Sequence, residues 1–203
     1  MFNMLILDLF SGSQSVKKIC DVMGWEYISV DLNNKYEPTY NVDILKWNYQ
    51  AEDLKPDLIW ASPCCQTWSI ACHKHRTLKE GLEPKTEAAR NANLLIAKTI
   101  EIINYYLDLN PKMFYLIENP RGRLQHYQPM IDFAKYKTLV YYINYGHQNA
   151  KPTNIWSNVE LWTEKQERKQ MIKWQNIRGF EARNSIPPKL IYKLITHCFA
   201  TLF

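Results

Sequence analysis

The residues of this chain whose types could do chemistry are a thiol at the tip of a proline turn, an acid at the end of an apolar strand, and a glycine turn followed by a second acid. The thiol lies in Ile59-Trp60-Ala61-Ser62-Pro63-Cys64-Cys65-Gln66-Thr67-Trp68-Ser69, where an apolar run breaks at Pro63 and presents two cysteines. A cysteine held there is a candidate nucleophile, the alternative being a small buried hydrophobe. Glu118 follows the apolar run Phe114 to Ile117. Loss of solvent there would raise its pKa and let it hold a proton near neutral pH; otherwise it caps the next segment. Asp8-Leu9-Phe10-Ser11-Gly12-Ser13 is a small-residue turn that a ligand can approach closely. Asp31, about twenty residues on, suits the two hydroxyls of a ribose, as the acid does in dinucleotide-binding folds. Asp43 could accept from an adenine amino group, or be an ordinary strand-end acid or cap.

Composition sets bounds on these readings. The 203 residues suit one domain with a substantial core, and 46% hydrophobic residues without low-complexity tracts exclude a disordered chain. A formal charge of +5 permits a polyanionic partner without demanding one. Five cysteines, an odd number with no C-x-x-C pair, point away from a disulfide framework or zinc site and toward a reducing compartment. The opening segment, too short to span a bilayer and interrupted by Asp8, has no basic flank or cleavage site, so a cytoplasmic protein with no membrane contact is expected. His73 and His75 have no Asp, Glu or Cys at ligand spacing, so no metal is expected.

The elements that must position these residues follow from periodicity. Strands are expected at Met4 to Phe10, Glu26 to Leu32, Asn41 to Leu45, Asp57 to Ala61, Met113 to Ile117, Thr138 to Tyr145 and Asn154 to Trp156. A helix from Val16 should end at Gly24, Lys85 to Leu107 should form the longest helix, and Lys189 to Phe199 should follow Pro187-Pro188. The polar, basic stretch Cys72 to Pro84 reads as a mobile surface loop, in which His73 to Lys79 could meet phosphates. Alternation of strand and helix predicts an α/β fold with a mainly parallel sheet and an antiparallel last pair. Ligands of such sheets bind beyond the carboxyl ends of the strands. Asp8, Asp31, Asp43, Cys65 and Glu118 all fall at or just after such ends, which predicts one shared site.

Five segments, in order, resemble the DNA (cytosine-5)-methyltransferases of the small kind found among phages and other viruses. Asp8-Leu9-Phe10-Ser11-Gly12 is similar to the family's opening S-adenosylmethionine motif, and Ser62-Pro63-Cys64-Cys65-Gln66 to its Pro-Pro-Cys-Gln nucleophile turn. Glu118-Asn119-Pro120 resembles Glu-Asn-Val, and Tyr145-Gly146-His147-Gln148-Asn149 the start of Gln-x-Arg-x-Arg. Arg183-Asn184-Ser185-Ile186-Pro187-Pro188 resembles the Gly-Asn-x-Val-Pro-Pro before the last helix. The resemblance covers nearly the whole chain.

It implies a Rossmann-like class I S-adenosylmethionine-dependent methyltransferase acting on C5 of cytosine in DNA, the base being flipped from a duplex or already single-stranded. Cys65 would add to C6 while Glu118 protonates or hydrogen-bonds N3. The cofactor would meet Asp8, Phe10, Ser11, Gly12 and Pro63, with Asp31 on its ribose, Leu32 against the adenine, Asp43 and Ile44 at the adenine edge, and Asn184 and Ser185 closing the methionine side. Gln66, Asn119, Gln148 and Lys151 are implied substrate contacts. The sequence departs from the family in three places. Gln14 stands for a second glycine, Cys64 for a proline, and Ala150 and Pro152 for the arginines expected after Gln148. A single domain over 1–203 is expected, with only a short recognition-like insert at about 157–183 containing Trp162, Arg168, Lys169, Lys173, Trp174 and Arg178, which implies short or relaxed specificity. A silent relative that binds DNA or a partner enzyme, and the same chemistry on RNA or a nucleotide, are the alternatives.

Overall fold

A computed structural model describes residues 4–70, 74–77, 82–162, 165 and 184–201. Most of the basic residues of the expected insert, from Arg168 to Arg178, lie outside these described residues. So do His73, Lys79 and Arg183.

Seven strands form one sheet: β1 (Leu5–Leu9), β2 (Glu26–Asp31), β3 (Tyr40–Asn41), β4 (Leu58–Ala61), β5 (Phe114–Pro120), β6 (Tyr136–Tyr141) and β7 (Pro152–Ser157). Their order is β3-β2-β1-β4-β5-β7-β6. All neighbours among β1 to β5 pair in parallel, while β7 runs antiparallel to both β5 and β6. Helices α1 (Lys17–Met23) and α4 (Pro188–Ala200) cover one face, and α2 (Glu87–Leu109) and α3 (Gln128–Phe133) the other. Two cores result, because side chains of a strand alternate between faces. Ile6, Leu58, Trp60, Phe114 and Leu116 meet α1 and α4. Leu7, Leu9, Ile59, Ala61, Tyr115 and Ile117 meet the layer that includes Ile96, Ile103 and Met130. Strands buried on both sides read as continuous apolar runs, which is why they were legible.

The helices follow the expected spacing. Gly24 ends α1 at φ 67°, with its amide on Cys20 O. Thr86 caps α2 by accepting from the Ala89 amide. In α4, Leu190, Ile191, Leu194, Ile195 and Cys198 are all buried.

Four expectations need correction. The third strand is only Tyr40–Asn41, and Asp43 begins a turn whose Oδ1 accepts the Leu45 amide. Tyr142 to Tyr145 is a 3₁₀ turn ended by Gly146 at φ 93°, so β6 stops at Tyr141. Strand β5 continues past Ile117 to Pro120, because β7 pairs Ile155 with Glu118 and Thr153 with Pro120 beyond the end of β4. Finally, the Cys72 to Pro84 stretch contains Arg76, which has no exposed surface. Its guanidinium reaches inward to Thr67, Leu82 and Ala89 and could not serve a phosphate at the surface.

Candidate active site

The carboxyl ends of β1, β2, β4 and β5 deliver the expected residues to one edge of the sheet. A cleft of about 290 Å³ is lined by Asp8, Phe10, Ser11, Gly12, Pro63, Cys64, Cys65, Gln66, Glu118, Lys151 and Asn184, among others. A second, of about 210 Å³, is lined by Phe10, Asp31, Leu32, Asp43 and Ile44. Phe10 lines both, so the two cavities are neighbours that share its side of the sheet edge.

The turn that carries Phe10 is built by backbone geometry. Phe10 has φ 62°, and its amide and that of Ser11 both donate to Val30 O. Gly12 lies at φ 48°, and its amide donates to Asp31 Oδ2 at 2.8 Å. The other oxygen of Asp31 accepts the Asn33 amide at 2.7 Å. The carboxylate is thus fixed between the two loops. Gln14, where the family has glycine, takes the left-handed conformation at φ 53° that a glycine would adopt without strain.

The residues fit S-adenosylmethionine on features of these cavities. Ser11 Oγ is buried with no hydrogen-bond partner and belongs to the lining. Leu32 leaves 71% of its surface exposed in the second cavity, where an aromatic ring would cover it. Asp8, 2% exposed, accepts from Tyr27 Oη at 2.7 Å. Burial pushes its pKa up to about 8, against the lowering effect of that hydrogen bond and with the help of nearby Asp31. Burial thus biases the Asp8 carboxyl of the first cavity toward its protonated form.

Across the same cavity stand the thiol and the second acid. Ser62 N donates to Leu9 O at 3.1 Å, tying the end of β4 to β1. Cys65 then precedes a 3₁₀ turn, Gln66–Trp68, and accepts at its carbonyl from Trp68 N. Cys64 is exposed and Cys65 half-buried. Burial raises the thiol of Cys65, as do Glu118 and Cys64, while Lys151 lowers it. Glu118, 6% exposed, is raised by burial and lowered by Lys151 and by hydrogen bonds from Tyr142 and Ser62. Tyr142 Oη donates to its Oε1 at 2.7 Å.

Among the described residues of the lining, Lys151 is the cation. Its backbone sits at φ 33°, and its amide donates to Asn149 Oδ1. Its Nζ donates to Asn184 O at 3.3 Å and lies 4.7 Å from the centroid of the Tyr142 ring. Burial lowers its pKa, and Glu118 and Cys65 raise it. Gln148, by contrast, is exposed and does not line the cleft. Asn119 is buried, and its side chain holds Pro63 O at 2.7 Å rather than facing the cleft. The lining takes Asn184 and Ile186 and passes over Ser185.

Sequence reasoning did not find Tyr142 or Ser62. Tyr142 had a signal: it continues the inward-facing alternation of Thr138 and Val140. Trp162, read as part of the insert, packs beside His197 and against the core of α4. Among the described residues no cluster of His, Cys, Asp or Glu could hold a metal ion, and no helix is long and apolar enough to cross a membrane.

No protein-family model matches the chain. A probable DNA (cytosine-5)-methyltransferase of Frog virus 3 (isolate Goorha) is 30% identical over 236 aligned residues, which cover 96% of this chain and all of that protein. Among solved structures, a mutant of Spodoptera frugiperda DNMT2 superposes with a TM-score of 0.52 at 20% identity, covering 82% of this chain and 54% of that one. The S. pombe Dnmt2 methyltransferase gives 0.51 at 15% identity, covering 80% and 52%. The chain thus spans about half the length of the solved structures it matches, and at those identities they speak for the fold alone. That fold, with one antiparallel strand in an otherwise parallel sheet, is the class I S-adenosylmethionine-dependent methyltransferase fold. With the viral relative matched along its whole length and the thiol and acid in one cleft at one sheet edge, the chain belongs to the DNA (cytosine-5)-methyltransferase family, whose methyl donor is S-adenosylmethionine.

Proposed function

We propose that this protein transfers a methyl group to C5 of cytosine in DNA through a covalent Cys65–C6 intermediate. The observation that carries the reading is the shared cleft of Cys65, Glu118 and Lys151, next to the cavity lined by Asp31, with Phe10 in the lining of both. S-adenosylmethionine, when bound, supplies an electrophilic methyl group.

C5 of cytosine is a poor nucleophile, so the chain must first activate the ring. The Cys65 thiolate adds to C6 while protonated Glu118 donates to N3, which saturates C6, moves the double bond to C4–C5 and makes C5 the nucleophilic carbon of an enamine. Burial raises the Glu118 pKa and so favours the protonated form that this donation uses. Tyr142 and Ser62 orient the carboxyl from behind. Lys151 faces both groups and offsets the burial that disfavours the thiolate. After methylation, loss of the C5 proton lets the C6–S bond break and frees Cys65. Gln66, at the rim of the cleft, is a substrate contact in this reading. Asn119 acts indirectly, by holding the carbonyl of Pro63. A target base in a duplex must be extruded to reach this cleft. With at most a short insert after Ser157, base readout is limited and the recognition site is short or relaxed.

The test is covalent trapping. The protein is incubated with S-adenosylmethionine and duplex or single-stranded DNA carrying 5-fluorocytosine, whose fluorine blocks the final elimination. A denaturation-resistant complex lost in Cys65→Ser and retained in Cys64→Ser is expected. A complex with fluorinated RNA only would move the substrate, and cofactor binding with no complex on any nucleic acid would make the protein a silent relative.

A further inference from the structure

The strand that carries the acid also grips the segment that follows the nucleophile, through residues the chemistry above leaves unused. Just past β5, Gly122 lies so close to that segment that a β-carbon there would stand 2.5 Å from Trp68 O. Arg123 follows, 6% exposed. Its Nη1 donates to Ser69 O at 2.5 Å and its Nη2 to Ile70 O at 3.0 Å. From another direction, buried Arg76 donates to Thr67 O through Nε and to Thr67 Oγ1 through Nη2, both at 3.2 Å. It also reaches Ala89 O at 3.1 Å and Leu82 O at 3.2 Å, and its guanidinium carbon lies 3.3 Å from the centroid of the Trp68 ring.

The acceptors of Arg76 in these bonds are neutral. A buried cation held by neutral groups is a costly way to fill a core, and Arg123 nearby adds repulsion. Stability alone would favour an apolar side chain in the place of Arg76. A planar fork of donors does something an apolar side chain cannot, which is to fix the direction of several carbonyls at once. Here the carbonyls of Thr67, Ser69 and Ile70 are fixed so. The Gln66–Trp68 segment is a single 3₁₀ turn closed by the Trp68 amide on Cys65 O, with the poorer hydrogen-bond geometry of that turn type.

We propose that Arg123 and Arg76 are positioning residues for Cys65: together they clamp residues 66 to 70 against the end of β5, so that the thiol keeps a set place relative to Glu118. The proposal rests on the C5-methylation reading. Its physical basis is that a nucleophile displaced by about 1 Å can lose roughly a hundredfold in rate.

The test compares Arg123→Met and Arg123→Lys, with Arg76→Met and Arg76→Lys beside them, in the full-length protein. Measured are the melting temperature, the S-adenosylmethionine dissociation constant, kcat and KM on cytosine DNA, and the rate of Cys65 alkylation by iodoacetamide in a Cys64→Ser background. Arg123→Met should keep a cooperative melt and bind the cofactor within about threefold of the parent, while kcat falls roughly a hundredfold, KM stays near its original value and alkylation accelerates as the turn is released. Arg123→Lys should recover part of kcat. A kcat within threefold of the parent, or one that falls only in step with cofactor affinity or folded fraction, overturns the proposal. If the parent protein methylates no cytosine substrate, the functional reading fails by itself, and the alkylation series still decides: unaltered rates in the folded arginine variants end the positioning claim.

Discussion

The phenol of Tyr142 donates to Oε1 of Glu118 across 2.7 Å from a side chain with no exposed surface. That hydrogen bond stabilises the carboxylate form and works against the burial that raises the Glu118 pKa. Removing it in Tyr142→Phe should therefore raise that pKa further. If protonated Glu118 is the active form, the rate of covalent complex formation falls as pH rises through its pKa, and in Tyr142→Phe this fall should move to higher pH. The loss of an oriented donor should also lower the maximal rate, by about tenfold. A pH profile with an unmoved limb would count against the assigned role.

Lys151 supplies the opposite influence on the thiol. Because it lowers the Cys65 pKa against the dominant effect of burial, Lys151→Met should leave a smaller thiolate fraction at any pH below the titration. Alkylation near neutral pH should be slower, with the profile displaced to higher pH. Lys151→Arg should restore the profile. Identical alkylation profiles for the parent and the methionine variant would remove Lys151 from the electrostatics of the site.

Asp8 makes the stability of the fold depend on pH. Its folded pKa of about 8 lies above that of an ordinary carboxyl, so the folded state binds the proton more tightly than the unfolded chain. The stability associated with that proton is complete below about pH 4 and is lost as pH rises to about 8. Asp8→Asn keeps an acceptor for Tyr27 and cannot ionise. Its melting temperature should fall less than that of the parent between pH 5 and pH 8.5, as read by calorimetry at both. Parallel curves would show that Asp8 stays charged or exchanges no proton.

Gln14 holds a left-handed backbone conformation at φ 53° that costs a non-glycine residue about 1 kcal/mol. Gln14→Gly should relieve this. Glycine also loosens the unfolded chain, so the net gain should be a few tenths of a kcal/mol up to about 1 kcal/mol. Chemical denaturation would read it, and a loss of more than 1 kcal/mol would mean that the hydrogen bond from the Gln14 amide group to Glu37 O matters more than the strain.

Much of the frame was legible because buried parallel strands and amphipathic helices write their environment into local periodicity. Leu58 to Ala61 and the α4 stripe are examples. Asp8, Asp31, Cys65 and Glu118 stand out in the sequence because strand ends in such a sheet converge on one edge. Other features depend on contacts between distant segments. Asp43 looked like a strand residue because Val42, Ile44 and Leu45 are apolar, yet its side chain caps a turn. Arg76 sits in a basic stretch that reads as solvated, and its burial rests on the carbonyls of Thr67, Leu82 and Ala89, the Thr67 hydroxyl and the Trp68 ring, which come from separate segments. Gln148 was selected by alignment to a motif, whereas the positive φ of Lys151 and the start of β7 decide which side chain enters the cleft.

The reversed direction of β7 has a consequence for anyone rebuilding this protein. Its first residues arrive where β1, β4 and β5 finish, so the cation enters the cleft from a surface turn while the thiol and the acid come from the parallel frame. Lengthening or shortening residues 146 to 150 should change how far Lys151 reaches without disturbing the register that sets Cys65 and Glu118. The cation is thus the adjustable part of the site, open to grafting or directed selection in a way that the other two groups are not.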